Sequence, residues 1–275
     1  MRNPSVAGQF YPSRERDLRR QIEECFLHPL GPGKLPDEGE KKKKDIIGAV
    51  VPHAGYMYSG PEAAHVYYAL SQQKTPEKIV ILGPNHTGMG SGVSVSGEDW
   101  KTPLGVVKVD KEAVEKLWRG CDIVDLDETA HRFEHSLEVQ LPFLQYIYDE
   151  FRIVPICLAL QDLETSLELA KCLSELDDAL FLASSDFTHY EPADEARRKD
   201  MEAINHLLAM DERRFLQSVY NLDLTACGYG AIATCLAASK MLGATRAELL
   251  KYGNSGDITG DYSSVVAYSA IIFRR

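Results

Sequence analysis

The chain has 275 residues, 44% of them hydrophobic, enough for one large α/β domain with a full core or for two small ones. Lysine and arginine total 30 against 41 acidic residues, and a net charge of −11 argues against nucleic acid or an anionic membrane as the main partner. No stretch approaches the ~20 apolar residues of a membrane helix, and MRNPSVAGQFYP lacks the apolar core of a signal peptide. The expectation is a cytoplasmic protein whose six cysteines are thiols. No two of them form a CxxC pair, which argues against a zinc ribbon or thioredoxin-type site. Cys157 and Cys172 lie in apolar runs and read as core packing.

In chain order, RERDLRRQIEECFL has helical spacing, with Leu18, Ile22 and Phe26 on one face. A Gly/Pro-rich loop follows, and its basic run at 41–44 reads as solvated. Residues 45–52 predict a first central strand, whose turn HAGYMYSG leads into a helix. Ser59 and Glu62 have capping-box spacing there, with Pro61 in the first turn. A second strand, 78–83, opens into PNHTGMGSG, and VSVSG and GVVKVD predict an edge hairpin around a turn at 100–103. EAVEKLW is a short helix. EHSLEVQLPFLQYIY places Leu137, Leu141, Leu144 and Tyr148 on one stripe, kinked or broken at Pro142. RIVPICLAL reads as a strand, DLETSLELAKCLSEL as an amphipathic helix and ALFLASSDF as a third histidine-delivering strand. Residues 193–220 and 230–242 are helical, and SSVVAYSAIIF closes the chain as a strand. This alternation without a linker predicts one domain over 1–275, an α/β/α sandwich around a central mixed, largely parallel sheet.

Three of the apolar runs empty into histidine-bearing turns, at His53, His86 and His189. Open α/β sheets gather their chemistry outside the carboxyl ends of the strands, so the repetition predicts a metal site assembled from distant segments. For one histidine taken alone, a ring bonded to a loop carbonyl is the favoured reading. Asp186, three residues before His189, can orient a ring or ligate a metal, or simply cap the next turn. Cys227 precedes a helix in TACGYGA, where the thiolate is stabilised by free N–H groups; it is a candidate soft ligand or nucleophile, or else a small residue beside a turn. HRFEH, 131–135, has the HxxEH spacing of inverted zinc peptidases, but DLDETAHRF before it reads as a loop rather than the helix that motif needs. Glu134, His135 and Glu138 remain candidate acid/base groups lining a cleft. Neither GxGxxG after the first strand nor a Walker loop is present.

Together these motifs resemble the Memo (mediator of cell motility) family. PSVAGQFYP, VPHAGYMYSG, ILGPNH, EHSLEVQLPFL, SSDFTHY, CGYGA and GDYSSVVAYSA occur in order over nearly the whole chain. The resemblance implies a sandwich similar to that of LigB-type extradiol dioxygenases. It implies a metal, iron or copper with zinc as a further option, on His53, His86 and Cys227, with Asp186 and His189 lining the same pocket. It also implies AMMECR-type and radical SAM proteins as partners, and a peptide-binding role in eukaryotic members. His131 is outside the family pattern. A cysteine where the dioxygenases use a carboxylate alters the charge and redox poise of the metal, so ring cleavage does not carry over.

The leading expectation is a metal-binding redox protein acting on an unknown small molecule, with His189, Asp186, Glu134 and His135 as acid/base or orienting groups. A binding module with a relict pocket is the second reading. A hydrolase, either metal-dependent or using Cys227 with a histidine, is the third.

Overall fold

The computed structural model describes residues 1–37 and 44–275. The reading of the basic run as solvated loop therefore lies, for 41–43, outside the described residues; Lys44 pairs with Asp178 at 2.6 Å. The first half of the chain forms α1 (Glu15–Leu27), β1 (Ile46–Val51), α2 (Tyr56–Ser71), β2 (Lys78–Pro84), β3 (Val93–Val95), β4 (Trp100–Thr102), β5 (Gly105–Val109), α3 (Lys111–Gly120) and β6 (Asp125–Leu126). A 3₁₀ turn at Glu138–Gln140 leads into α4 (Leu141–Ile147), then β7 (Arg152–Leu158), α5 (Leu163–Leu173), β8 (Ala179–Ser184) and β9 (His189–Glu191). The chain ends with α6 (Ala193–Leu208), α7 (Glu212–Asn221), α8 (Tyr229–Met241), β10 (Arg246–Asn254), α9 (Gly256–Thr259) and β11 (Val265–Arg274).

The main sheet runs β10-β11-β1-β8-β2-β7-β3-β6. Its centre, β1-β8-β2-β7, is parallel, while β11 and β3 join it antiparallel. The central strands are continuous apolar runs because both faces are covered. Helices α1, α2 and α4 pack on one side, and α5, α7 and α8 on the other. The expected α/β sandwich around a mixed sheet is therefore what the chain forms. Side chains of Asp110, Asp162 and Asp211 accept from backbone N–H groups in the first turns of α3, α5 and α7, which fixes where those helices start.

Several local expectations are corrected. VSVSG is no hairpin arm: Val93–Val95 pairs with β7 and β6, and the hairpin is β4–β5. Pro142 marks the break that was one of its two expected roles: it stands in the first turn of α4, after the 3₁₀ turn. Strand β10 lacked a clean alternating pattern because AELLKYGN lies half-buried along the sheet's end. Helix α2 begins at Tyr56, not at a Ser59 capping box. Its first N–H groups are served from elsewhere: Tyr56 N donates to Phe10 O at 2.8 Å, and Ser59 Oγ is spent on Ala54 O. The cysteines are not all thiols either. Cys121, just after α3, is bonded to Cys172 in α5, with Cα atoms 5.9 Å apart, so Cys172 is a cross-link and not plain core packing. Cys157 is buried as expected.

Glu62, displaced from any capping role, is fully buried on α2 with neither carboxylate oxygen hydrogen-bonded. Burial pushes its carboxyl up from 4.5 to about 7, against the opposing pull of Lys251. The unfolded chain ionises near the ordinary value, so stability falls as pH rises through that window and levels off above it. Glu62→Gln removes this penalty. In urea titrations it should match the parent near about pH 4 and exceed it by ~2–3 kcal/mol near about pH 8. An equal gain at both pH values would assign the effect to packing instead of ionisation.

Candidate metal centre

Parallel registry sends the ends of β1, β2 and β8 to one edge of the sheet, with Val51 opposite Ser184 and Leu82 opposite Ala183. His53 and Asp186 each stand two residues beyond their strand, and His86 two beyond β2. Cys227 arrives from another direction, at the turn into α8. Its backbone N–H donates to Asp186 O at 3.3 Å, and Gln161 Nε2 donates to its carbonyl at 2.9 Å. Gly228 makes this approach feasible, because a Cβ there would lie 2.6 Å from Ser184 O.

The histidines converge. His53 Nε2 lies 3.1 Å from Cys227 Sγ, and the His53 ring is 5.2 Å from that of His86 and 5.4 Å from that of His135. The donor atoms of His53, His86 and Cys227 all fall within 4.8 Å of one another, as do those of His86, Glu134 and His135. Nitrogen and sulfur donors gathered this closely form a candidate metal-ligand set.

Hydrogen bonds fix which nitrogen of each ring is free. Ser184 Oγ donates to Ser136 O at 2.6 Å, so its only hydrogen is committed. It must therefore accept from His53 Nδ1, 2.9 Å away, and from Gln140 Nε2 at 2.7 Å. That leaves the His53 Nε2 lone pair facing Cys227. Gln140 is itself saturated, donating also to Pro52 O and accepting from Tyr67. Glu134 holds His86 in the same way: Oε1 accepts from Nδ1 at 2.9 Å and Oε2 from the backbone N–H at 2.7 Å. His86 Nε2 is thus free for a metal, with a carboxylate behind the ring. His189 Nδ1 donates to Thr225 O at 3.0 Å, which leaves its Nε2 as the lone-pair nitrogen.

The charges follow from burial and partners. Burial alone would raise Glu134, but His86, Ser136 N–H and His135 hold it at about 2, so it is a carboxylate. Burial and the neighbouring imidazoles push His53 well below its ordinary range, so it is neutral. His135 is lowered mainly by burial and packs on Phe10 at 4.8 Å. Asp186 is raised to about 6 by burial, although its Oδ1 accepts from His53 N at 2.8 Å. Burial, then the Asp186 carboxylate, pushes the Cys227 thiol up.

Seven of the eight sequence candidates come to one place: His53, His86 and Cys227 at its centre, with Glu134, His135, Asp186 and His189 around them. Two nearby readings fail. Residues 131–135 form no helix; His131 is buried under Trp100 with Nε2 on Ser94 O, so the HxxEH geometry is absent. Glu138 lines no cleft, being buried against Arg2, Ser5, Val6 and Tyr11. The orienting groups Ser184, Ser136, Gln140 and Thr225 were missed. The polar pair Ser184–Ser185 at the end of an apolar strand was the one local signal for them.

Residues 2–272 match the family described as Memo-like protein. A MEMO1 family protein of Methanopyrus kandleri is 50% identical over 281 residues, covering 100% of this chain and 99% of the relative. Another, of Methanocaldococcus jannaschii, is 51% identical over 284 residues, covering 99% and 98%. Among solved structures, an uncharacterized protein of Escherichia coli K12 superposes with a TM-score of 0.55 at 14% identity, over 82% of this chain and 99% of that one. That likeness bears on the fold alone. The family match and the relatives together assign this chain to the Memo-like protein family.

Proposed function

We propose that this protein is a metal-binding redox protein holding iron or copper on His53, His86 and Cys227. The observation that carries this reading is the convergence of two imidazole lone pairs, each freed by a hydrogen bond behind its ring, on one cysteine sulfur. Two nitrogens and a thiolate suit iron, copper or zinc, and a redox metal would supply Lewis-acid and one-electron chemistry. Glu134 keeps the proton on His86 Nδ1 and offsets the metal's charge. Asp186 and His189, one buried and one at the rim, are placed to take and return a proton. A cysteine hydrolase fits less well. With the thiol pushed up and His53 pushed down, burial favours the neutral thiol and imidazole over a thiolate–imidazolium pair.

Elemental analysis of tag-free, anaerobically purified protein tests the proposal. Near-stoichiometric iron or copper is expected, absent from His53→Ala and Cys227→Ala variants that keep the parent's circular dichroism. Glu134→Gln should still bind, with affinity weakened about 10–100-fold. Full metal occupancy in both ligand variants would sink the assignment.

A further inference from the structure

Among the described residues, Glu62 alone is a buried carboxylate with no hydrogen bond to either oxygen. The other buried acids are served: Glu134 by His86, Glu138 by Arg2, and Asp200 by Thr188 and Tyr252. An uncompensated carboxylate in a core is costly, and an apolar side chain of similar size would fill the same place on α2 without that cost. The fold nevertheless makes room for it. Gly253, in β10, faces the carboxylate, and a Cβ there would lie 2.5 Å from Glu62 Oε1. The same point is 3.2 Å from Asp257 Oδ2. Two carboxylates from separate segments, α2 and α9, therefore meet over one glycine.

Asp257 is held in that position. Its Oδ2 accepts from Asn254 N–H at 2.9 Å, and its Oδ1 lies 3.4 Å from the Tyr262 hydroxyl. Lys251, two residues before Gly253 in the same strand, draws on Glu62 from a distance without bonding either oxygen. Gly253 and Asp257 also line a surface cavity of about 340 Å³, which gives an ion a way in from solvent. The charges lining that cavity balance, Asp194 and Asp257 against Arg197 and Lys251, so the buried Glu62 tips the sum to negative.

We infer that Glu62 and Asp257 form a site for a hard divalent cation, magnesium or calcium, held over Gly253 by carboxylate oxygens with water completing its shell. Oxygen donors select such ions, whereas imidazoles and a thiolate select softer ones. The site shares no residue with the His53–His86–Cys227 centre, so each stands or falls separately. A cation here ties α2, which begins three residues after His53, to the loop that follows β10.

Protein stripped with EDTA and dialysed would be titrated with magnesium chloride or calcium chloride, by calorimetry and by thermal melting. One ion per chain should bind, and saturation should raise Tm by about 5 °C. Glu62→Gln should abolish that rise, because the buried ligand is lost. Asp257→Asn, at an exposed position, should weaken binding by at least about 10-fold through the lost ligand charge. The stability advantage of Glu62→Gln above neutral pH belongs to the stripped protein and should reverse once the parent is saturated. Lys251→Met should tighten binding by removing a repelling charge. A stripped parent that responds to neither salt at about 10 mM, beyond the range of the weakest calcium modules, overturns the site. A rise that persists in Glu62→Gln places the ion elsewhere and overturns it too. If the Lys251 ammonium turns onto Glu62 instead, neither ion binds and Lys251→Met lowers the Tm of stripped protein, which likewise overturns the cation.

Discussion

Replacing Arg2 with methionine is expected to destabilise the protein by about 3–5 kcal/mol, the usual cost of breaking a buried ion pair from one side. Arg2 and Glu138 are almost wholly buried and meet at 2.7 Å. The guanidinium also donates to His131 O and Glu134 O, each at 2.6 Å, and lies 4.1 Å over the Trp100 ring. Glu138 in turn accepts from Ser5 N, Val6 N and the Tyr11 hydroxyl. The N-terminal segment is thereby clamped to the 131–138 segment, which carries Glu134 and His135. Arg2→Lys should restore little, because an ammonium cannot reach several acceptors in the plane of the guanidinium fork. The double variant R2M/E138Q should cost clearly less than the sum of the single variants, since no charge is then stranded. Urea denaturation of the four proteins reads this coupling, and simple additivity would show that the pair does not act as a unit.

Opening the Cys121–Cys172 bond should cost about 4 kcal/mol, the chain-entropy value for a loop of this length. The two cysteines are 51 positions apart and tie the end of α3 to α5. For a chain of this size, such a loss lowers Tm by on the order of 10 °C. The double variant C121S/C172S and the reduced parent should therefore melt together, well below the oxidised parent. The loop closed by the bond contains Glu134 and His135, so metal affinity should be followed in the same samples. An oxidised parent that melts with its reduced form would show that this bond does not constrain the unfolded chain.

The central sheet and three of its site-bearing turns were legible in the sequence for a simple reason. Buried parallel strands are local apolar runs with a turn at the end, and parallel pairing sends all their carboxyl ends to one edge. His53, His86, Asp186 and His189 follow from that rule without any long-range information. Cys227 stood out as a thiol before a helix N-terminus, and the family resemblance joined it to the histidines; its sulfur lies beside His53 across 174 residues of sequence.

What only the tertiary structure decided are pairings between segments far apart in the chain, which local periodicity does not encode. It separated His135, which joins the centre, from His131, four residues earlier, which is buried under Trp100. It turned Glu138 from a candidate cleft residue into the partner of Arg2, 136 positions away, and Cys172 from core filler into a cross-link. It supplied Phe10 to start α2, and it chose the His53 tautomer through Ser184, Ser136 and Gln140. The sequence determined which strands end in histidine and that they share an edge; the packing of distant segments determined which nitrogens are free to bind there.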